Sequence, residues 1–249
     1  MPLPGHRNEG WHAPVRRVVF TAVVLAFAAL ATPAPSAGKD PTASSREAMV
    51  RTQIEARGIR DQAVLQAMRQ VPRHRFVPEA RGKEAYGDHP LPIGLGQTIS
   101  QPYIVALMTE LLALEEDHKL FELGTGSGYQ AAVASRIAAR VFTVEIYEQL
   151  AASAAARLRD LGYENVAVRN GDGYSGWPEE APFDAIVVTA AADHIPPPLL
   201  EQLKPGGRMV IPLGNPFFVQ QLVLVTKDAE GRIEETPVIP VRFVPLLGH

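Results

Sequence analysis

Apolar residues in the second half of the chain fall into short runs that alternate with segments of helical spacing. Seven runs have the length and composition of β-strands, at residues 119–123, 141–145, 166–169, 183–189, 208–213, 220–226 and 233–242. Helical patterns lie among them at 129–138, 147–160 and 197–203. Strands that alternate with helices form parallel βαβ units. The pattern therefore predicts an α/β fold, a Rossmann-like doubly wound and mostly parallel seven-stranded sheet.

The chain before this alternation has a different pattern and predicts an N-terminal helical adjunct. Helices are expected at 43–57, 62–70 and 101–114, with Gly58 ending the first and Asp61 capping the second. Residues 71–98 are rich in Pro, Gly and His and show no sustained period, which indicates loop with at most short strands. We expect one domain at 38–249, made of a helical and loop adjunct at 38–114 and the Rossmann-like core at 115–249.

The first 37 residues have the layout of a secretory signal peptide. Arg16 and Arg17 precede an apolar run at 18–31, and a short Pro-rich stretch of small residues follows it. Export is the direct interpretation. The alternatives are an uncleaved leader, which would make the membrane a partner, or translation that begins at Met49. Without the leader the chain carries a net charge of −5.

Charge and residue usage exclude several classes of function. The formal net charge is −3, and no basic face is evident, so a nucleic-acid partner is not expected. The densest basic stretch, residues 69–83, is interpreted as a solvated face. There is no cysteine, and no two histidines have the spacing of a helical ligand pair, so we expect no metal site.

A glycine-rich turn follows the first predicted strand of the core and opens a helix. Gly124, Gly126 and Gly128 alternate with Thr125 and Ser127. Glycines allow positive φ angles and let a ligand lie against bare main chain. Glu145 ends the next predicted strand, where a carboxylate can accept hydrogen bonds from both ribose hydroxyls of an adenosine group. NAD and S-adenosylmethionine both fit these features.

Two details favour S-adenosylmethionine over NAD. The spacing is Gly-x-Gly-x-Gly with Glu122 just ahead, and an acid there repels a pyrophosphate but suits the ammonium of a methionine group. The third strand ends in a turn where Gly171 and Gly173 flank Asp172, whose carboxylate can accept from an adenine amino group. The sequence therefore predicts a methyl-donor pocket that includes Glu122, the glycine-rich turn, Glu145 and this second turn.

From about residue 49 to 246 the chain resembles the protein-L-isoaspartate O-methyltransferases, a family of class I S-adenosylmethionine-dependent enzymes. The resemblance rests on the segments 91–102, 122–129, 171–177, 181–186, 202–208 and 241–246. It implies methyl transfer to the free α-carboxylate of isoaspartyl residues in damaged proteins, which starts their repair. It also implies that Ser100 is the active-site residue and that Gln97, Thr98 and Ile99 line the site with it, where we expect Gln97 and Ile99 to contact the cofactor.

Ser100 has a second interpretation, because it precedes a predicted helix with Pro102 in the first turn and suits an N-cap. The chemistry itself needs no strong base, since a carboxylate is already ionised at neutral pH. A hydroxyl of Ser100 or Thr98 can orient that carboxylate by donating a hydrogen bond.

Other functions stay open at this stage. A non-catalytic module that binds S-adenosylmethionine or peptides is motivated by the leader, because the cofactor is made in the cytoplasm. A methyltransferase for a small molecule or RNA shares the glycine-rich turn without needing residues 97–102. We expect a monomer that acts on isoaspartyl-containing proteins and peptides. Its compartment is open, since the family is mainly cytoplasmic while the leader suggests the periplasm.

Overall fold

The computed structural model describes residues 40–215 and 217–248, together with residues 1, 2, 5 and 10. The leader predicted at 1–37 lies, apart from those four residues, outside the described residues. The described residues from 40 onward belong to one compact unit. In this described part, no helix combines the length and the apolar character needed to cross a membrane.

A seven-stranded sheet with helices on both faces organises the second half of the chain. Its strands are β3 (Lys119–Leu123), β4 (Arg140–Glu145), β5 (Val166–Asn170), β6 (Phe183–Val188), β7 (Leu203–Leu213), β8 (Gln220–Lys227) and β9 (Ile233–Val241). The strand order is β5-β4-β3-β6-β7-β8-β9. Pairs from β5 to β7 are parallel, and β8 and β9 add two antiparallel pairs. The predicted doubly wound, mostly parallel sheet is confirmed.

The central strands are mostly apolar because both faces of the sheet are covered. Alternate residues of one strand contribute to two different hydrophobic clusters. Leu120 belongs to the cluster shared with the N-terminal helices, whereas its neighbour Phe121 belongs to the cluster on the opposite face. Ala185 and Ile186 on β6 divide in the same way. This double burial explains why these strands appear in the sequence as continuous apolar runs.

The chain order creates a crevice beside β3. After β3 the chain adds β4 and β5 on one side, and it then returns to the other side of β3 as β6. The loops that leave β3 and β6 therefore diverge at the carboxyl ends of these neighbouring strands. Ligands of open α/β sheets bind at such a switch point.

Helices of the core occupy the predicted places, with one shorter than expected. They are α4 (Tyr129–Ala134), α5 (Glu148–Asp160) and α6 (Pro197–Gln202). The prediction for α4 extended to residue 138, but the regular helix ends at Ala134 and tighter turns follow it. Every residue of α4 is buried, so this helix packs in the interior.

The N-terminal adjunct contains α1 (Ala43–Met49), α2 (Gln62–Gln70) and α3 (Pro102–Leu111). The single α-helix predicted at 43–57 is wrong in detail, because the backbone widens into a π-helical turn at Val50–Ile54 and then tightens at Glu55–Arg57. Gly58 ends it in the left-handed conformation, with φ of 104°. The Asp61 carboxylate accepts from the Val64 amide at 3.0 Å, so the predicted cap of α2 is confirmed.

The irregular stretch between α2 and α3 ends in a small antiparallel hairpin, formed by β1 (Leu91–Gly94) and β2 (Gln97–Ile99). At its other end, the interpretation of residues 69–83 as a solvated basic face is wrong for Arg73. This side chain is fully buried, its Nε donates to the Ala85 carbonyl at 2.8 Å, and its guanidinium lies 4.9 Å from the centre of the Tyr129 ring. The aromatic face and the carbonyl replace part of the water around the cation, while both Nη groups have no hydrogen-bond partner among the described residues.

Candidate active site

The glycine-rich turn joins β3 to α4 at the crevice beside β3. Gly124, Gly126 and Gly128 have φ angles of 100°, 52° and 85°, a conformation that favours glycine. A Cβ on Gly124 would clash with Thr189 Oγ1, and this hydroxyl donates to the Gly124 carbonyl at 2.6 Å. The turn therefore presents bare main chain along the crevice, and the end of β6 holds it in place.

Glu145 ties the glycine-rich turn to the end of β4. It is 5% exposed, and its carboxylate accepts from the Gly126 amide at 2.7 Å and from the Tyr147 amide at 3.0 Å. Each carboxylate oxygen has a further lone pair, so two backbone amides leave room for two more donors. Glu145 therefore keeps acceptor capacity for a diol such as a ribose.

Glu122 is the most unusual charged residue of the site. It is fully buried, and neither of its carboxylate oxygens has a hydrogen-bond partner among the described residues. Its neighbour across the strands is Thr143, whose hydroxyl is already joined to the Thr125 hydroxyl at 2.6 Å. Burial raises the pKa of Glu122 to about 8, and the negative charge of the nearby Glu145 contributes to the increase. A cation that reaches Glu122 would satisfy this carboxylate.

The turn after β5 closes the side of the crevice next to β4. The Gly171 amide donates to the Glu145 carbonyl at 2.9 Å, and Asn170 Nδ2 donates to the same carbonyl at 2.9 Å. Gly173 is buried and lines the cavity. Asp172 is exposed, and its Oδ1 accepts from the Tyr174 amide at 2.9 Å, which makes the turn.

The cavity beside β3 brings most of the predicted residues together. The predicted residues along its wall are Gln97, Thr98, Ile99, Ser100, Glu122, Gly124, Gly126, Ser127, Glu145 and Gly173. Three predicted residues do not line it. Gly128, at the start of α4, lies behind the turn and packs against Leu158. Gly171 and Asp172 lie outside the cavity wall.

A second cleft opens next to this cavity and shares part of its wall. Thr98, Ser100, Thr189 and Val244 line both spaces. The second cleft is otherwise bordered by the hairpin, α3, Val219 of the β7–β8 loop, the end of β9 and the segment after it, and Arg242 is its only charged lining residue in the described chain. Thr98 and Ser100 therefore lie where a cofactor pocket and an open cleft meet.

The interpretation of Ser100 as an N-cap is wrong. Helix α3 begins at Pro102, its N-cap is Gln101, and no side chain caps it. Because Pro102 occupies the first helical position, the cap falls on the residue directly before it, one position beyond Ser100. Across the described residues the Ser100 hydroxyl has no hydrogen-bond partner, so it is available to a ligand at the shared wall.

Sequence reasoning missed several residues of the cavity wall. Thr189 and Ala190 directly follow β6, and Ile146 and Tyr147 directly follow Glu145. The rule that ligands bind at the carboxyl ends of parallel strands was sufficient to indicate them. The chain end at 244–247 also lines the cavity, because backbone hydrogen bonds join Val244 and Leu246 to Ala191. No local signal in the sequence indicates that contact.

One cluster of possible metal ligands exists in the described chain, formed by Glu115, Asp117 and His118. It lies just before β3, at the opposite end of that strand from the glycine-rich turn. Both acids are exposed, and His118 Nδ1 accepts from the Glu115 amide at 3.1 Å. The cluster is therefore separate from the cavity.

Comparison with known proteins points to one family. A family model described as protein-L-isoaspartate(D-aspartate) O-methyltransferase matches residues 44–249. The chain is similar to protein-L-isoaspartate O-methyltransferase 2 of Syntrophobacter fumaroxidans, with 55% identity over 236 residues, 91% of this chain and 95% of that protein. It is also similar to protein-L-isoaspartate O-methyltransferase 1 of Nitrosospira multiformis, with 61% identity over 205 residues, 82% of this chain and 87% of that protein.

Solved structures lead to the same family. A structure named protein-L-isoaspartate O-methyltransferase aligns with a TM-score of 0.74 and 30% identity over 82% of this chain and 66% of its own. A Plasmodium falciparum structure described as a beta-aspartate methyltransferase, in complex with S-adenosyl-L-homocysteine, aligns with a TM-score of 0.69 and 25% identity. That alignment covers 81% of this chain and 98% of the other.

Proposed function

Because this chain belongs to the protein-L-isoaspartate(D-aspartate) O-methyltransferase family, we propose that it methylates the α-carboxyl group of L-isoaspartyl residues in damaged proteins and so starts their repair. The observation that carries this proposal is the shared wall of the cavity and the cleft. Thr98 and Ser100 border both spaces, so a methyl donor in one and a carboxylate in the other would meet at two hydroxyl groups.

The residues of the cavity fit S-adenosylmethionine. Glu122 is a buried carboxylate without a partner in the described chain, which suits the ammonium of the methionine group. Gly124 and Gly126 leave a bare cradle, and Glu145 has acceptor capacity for the ribose hydroxyls. We therefore assign these residues, with Gln97, Ile99, Ser127 and Gly173 along the wall, to cofactor binding. When bound, S-adenosylmethionine supplies an activated methyl group on a sulfonium.

Three sequence-based assignments concern residues outside the cavity wall. Gly128 gives α4 its left-handed start, with φ of 85°, and allows Leu158 to pack closely. Gly171 and Asp172 shape the turn that brings Gly173 to the cavity. Asp172 remains our candidate partner for an adenine amino group at the rim.

The chain's part in the reaction is to hold and orient the substrate carboxylate. This group is ionised at neutral pH, so no side chain has to remove a proton from it. Ser100 is half-buried and Thr98 is exposed at the mouth, and each can donate a hydrogen bond to one carboxylate oxygen. Arg242 gives the cleft a positive charge that attracts the carboxylate. Alignment of this kind accelerates a reaction by proximity.

A methylation assay tests the function directly. The protein is incubated with labelled S-adenosylmethionine and with two peptides that differ only in an isoaspartyl or aspartyl linkage, and base-labile methyl ester is measured. We expect label on the isoaspartyl peptide alone. Cofactor binding without any transfer would indicate a binding module, transfer to RNA or a small molecule would indicate another substrate, and no cofactor binding would refute the cavity assignment.

Ser100→Ala tests the residue at the shared wall. We expect turnover to fall about tenfold or more while S-adenosylmethionine affinity and thermal stability stay near wild type, because the hydroxyl orients only the substrate. Ser45→Ala is the matched control, since Ser45 is an exposed serine on α1. If the Ser100 variant loses cofactor binding and stability together, the hydroxyl has a structural role instead.

Three wider assignments accompany this function. We propose that 38–249 form one methyltransferase domain in which 38–114 carry the substrate segment and 115–249 hold the cofactor. The hydrophobic cluster that runs from Met49 to Val241 supports a single unit. We further propose a monomer that does not bind nucleic acid, which the net charge of −5 on the chain after the leader supports.

A further inference from the structure

The loop between β7 and β8 exposes three consecutive apolar residues. Phe217 is 85% exposed, Phe218 is 70% exposed and Val219 is 53% exposed. Scattered exposed apolar residues are common on protein surfaces, but adjacent large ones mark interaction sites. We refer to these three residues as the aromatic tip.

The aromatic tip is held in a defined conformation by polar contacts beneath it. The Phe217 amide donates to Asn215 Oδ1 at 2.9 Å, and the Phe218 amide donates to the Asn215 carbonyl at 3.1 Å. Gln220 is 2% exposed, and its Nε2 donates to the Phe218 carbonyl at 2.7 Å and to the Asn215 carbonyl at 3.2 Å. A surface ordered in advance loses less entropy when it binds a ligand.

The same glutamine connects the aromatic tip to the substrate cleft. Gln220 Oε1 accepts from the Phe243 amide at 2.8 Å, and Phe243 lines the cleft. Val219, the third residue of the tip, lines the cleft together with Thr98 and Ser100. The exposed phenylalanines therefore directly precede a residue of the cleft wall.

We propose that the aromatic tip binds apolar side chains of the substrate polypeptide next to the isoaspartyl residue, so that the protein favours damaged segments with aromatic or aliphatic neighbours. This inference rests on the proposed function. A folded protein buries such neighbours, whereas an unfolded or damaged segment exposes them. The tip thus selects the state of the substrate chain as well as its composition.

Other occupants fit the tip less well. Two phenylalanines and one valine bury at most about 600 Å² of this chain's surface, below the roughly 800 Å² per partner of a standard protein–protein interface. Membrane-surface segments combine apolar residues with lysine and arginine, but residues 214–226 contain neither. Continuity with the cleft is what favours the substrate chain.

The test compares two isoaspartyl peptides that differ only in the flanking residues, Phe and Leu in one and Ser and Gly in the other. For the wild type we expect kcat/KM to be about tenfold higher for the apolar-flanked peptide, mainly through KM. In the double variant Phe217→Ser, Phe218→Ser this preference should shrink to about twofold or less. Ile233→Ser is the matched control, because Ile233 is an exposed apolar residue at the far end of β9; it should keep the preference.

The possible outcomes separate the inference from the function beneath it. If wild type methylates neither peptide, the proposed function fails. If wild type methylates both peptides equally well, or the double variant keeps the preference, the aromatic tip does not bind substrate. Two further measurements would then identify the true occupant of the tip. If the double variant keeps the preference but loses self-association in sedimentation, the tip binds a second copy of the chain. If it keeps the preference but loses binding to phosphatidylcholine vesicles, the tip binds a membrane surface.

Discussion

Replacement of Glu122 by glutamine should make the protein more stable, relative to wild type, as the pH rises. Glu122 is fully buried without a hydrogen-bond partner in the described chain, and its pKa in the fold is about 8 against an ordinary value of 4.5. Between these two values the native state keeps a proton that the unfolded chain releases. Stability contributed by the neutral acid is complete below the lower pKa and is lost as the pH rises through the higher one.

The size of the effect follows from the shift in pKa. Each pH unit between the two values removes about 1.4 kcal/mol from the free energy of unfolding, and the full window removes about 5 kcal/mol. The glutamine side chain of the variant would carry no titratable proton at this position but would keep nearly the same shape. We therefore expect the stability of Glu122→Gln relative to wild type to increase steadily from about pH 5 to about pH 8.

Urea denaturation of both proteins at several pH values, without cofactor, measures this difference. The reasoning is refuted if the difference in unfolding free energy between the variant and wild type is the same at about pH 5 and about pH 8, because Glu122 would then be ionised in the native state. Calorimetry with S-adenosylmethionine in two buffers of different ionisation enthalpy gives an independent measurement. Binding to wild type near neutral pH should release close to one proton, since an ammonium beside Glu122 favours the carboxylate, and binding to the variant should be weaker and release none.

Two further substitutions test the turn and the cleft. Gly124→Ala should destabilise the protein by about 1–3 kcal/mol and weaken cofactor binding, because the new Cβ would clash with Thr189 in a left-handed backbone. Gly82→Ala is the control, since a Cβ at Gly82 meets open space and should cause neither effect. Equal melting temperatures for the two variants would contradict this prediction. Arg242→Met should raise the peptide KM by up to about fivefold at low salt and leave cofactor affinity unchanged. Arg232→Met, at an exposed site in the β8–β9 turn, is its control, and a KM that does not change would exclude Arg242 from substrate attraction.

The strands and the cofactor turn were predictable because their signals are local. A strand buried on both faces is a continuous apolar run, and a turn with positive φ angles requires glycines at set positions. Glu145 follows from the same logic, since it ends the strand next to the turn. These signals lie within a few residues, so tertiary contacts do not obscure them.

Other features depend on partners that are distant in the sequence. Arg73 is buried because it lies over Tyr129, and nothing in the basic stretch around Arg73 indicates that contact. The chain end at 244–247 reaches the cavity through Ala191, more than fifty residues away. The misassigned cap at Ser100 has a smaller cause, since the helix begins one residue later than predicted because Pro102 takes the first position.

The shared wall explains how one fold can hold a common cofactor and still choose its substrate. Most of the cofactor side of the cavity comes from the ends of β3, β4 and β6, which are fixed by the parallel sheet, and residues of β2 and of the segment after β9 complete it. The substrate side comes from β2 of the N-terminal adjunct and from the segment after β9, which lie outside the parallel strands. Changes in these outer segments can alter the substrate without disturbing the glycine-rich turn. We infer that Thr98 and Ser100, whose hydroxyl groups border both sides, are the residues at which the substrate carboxylate meets the methyl donor.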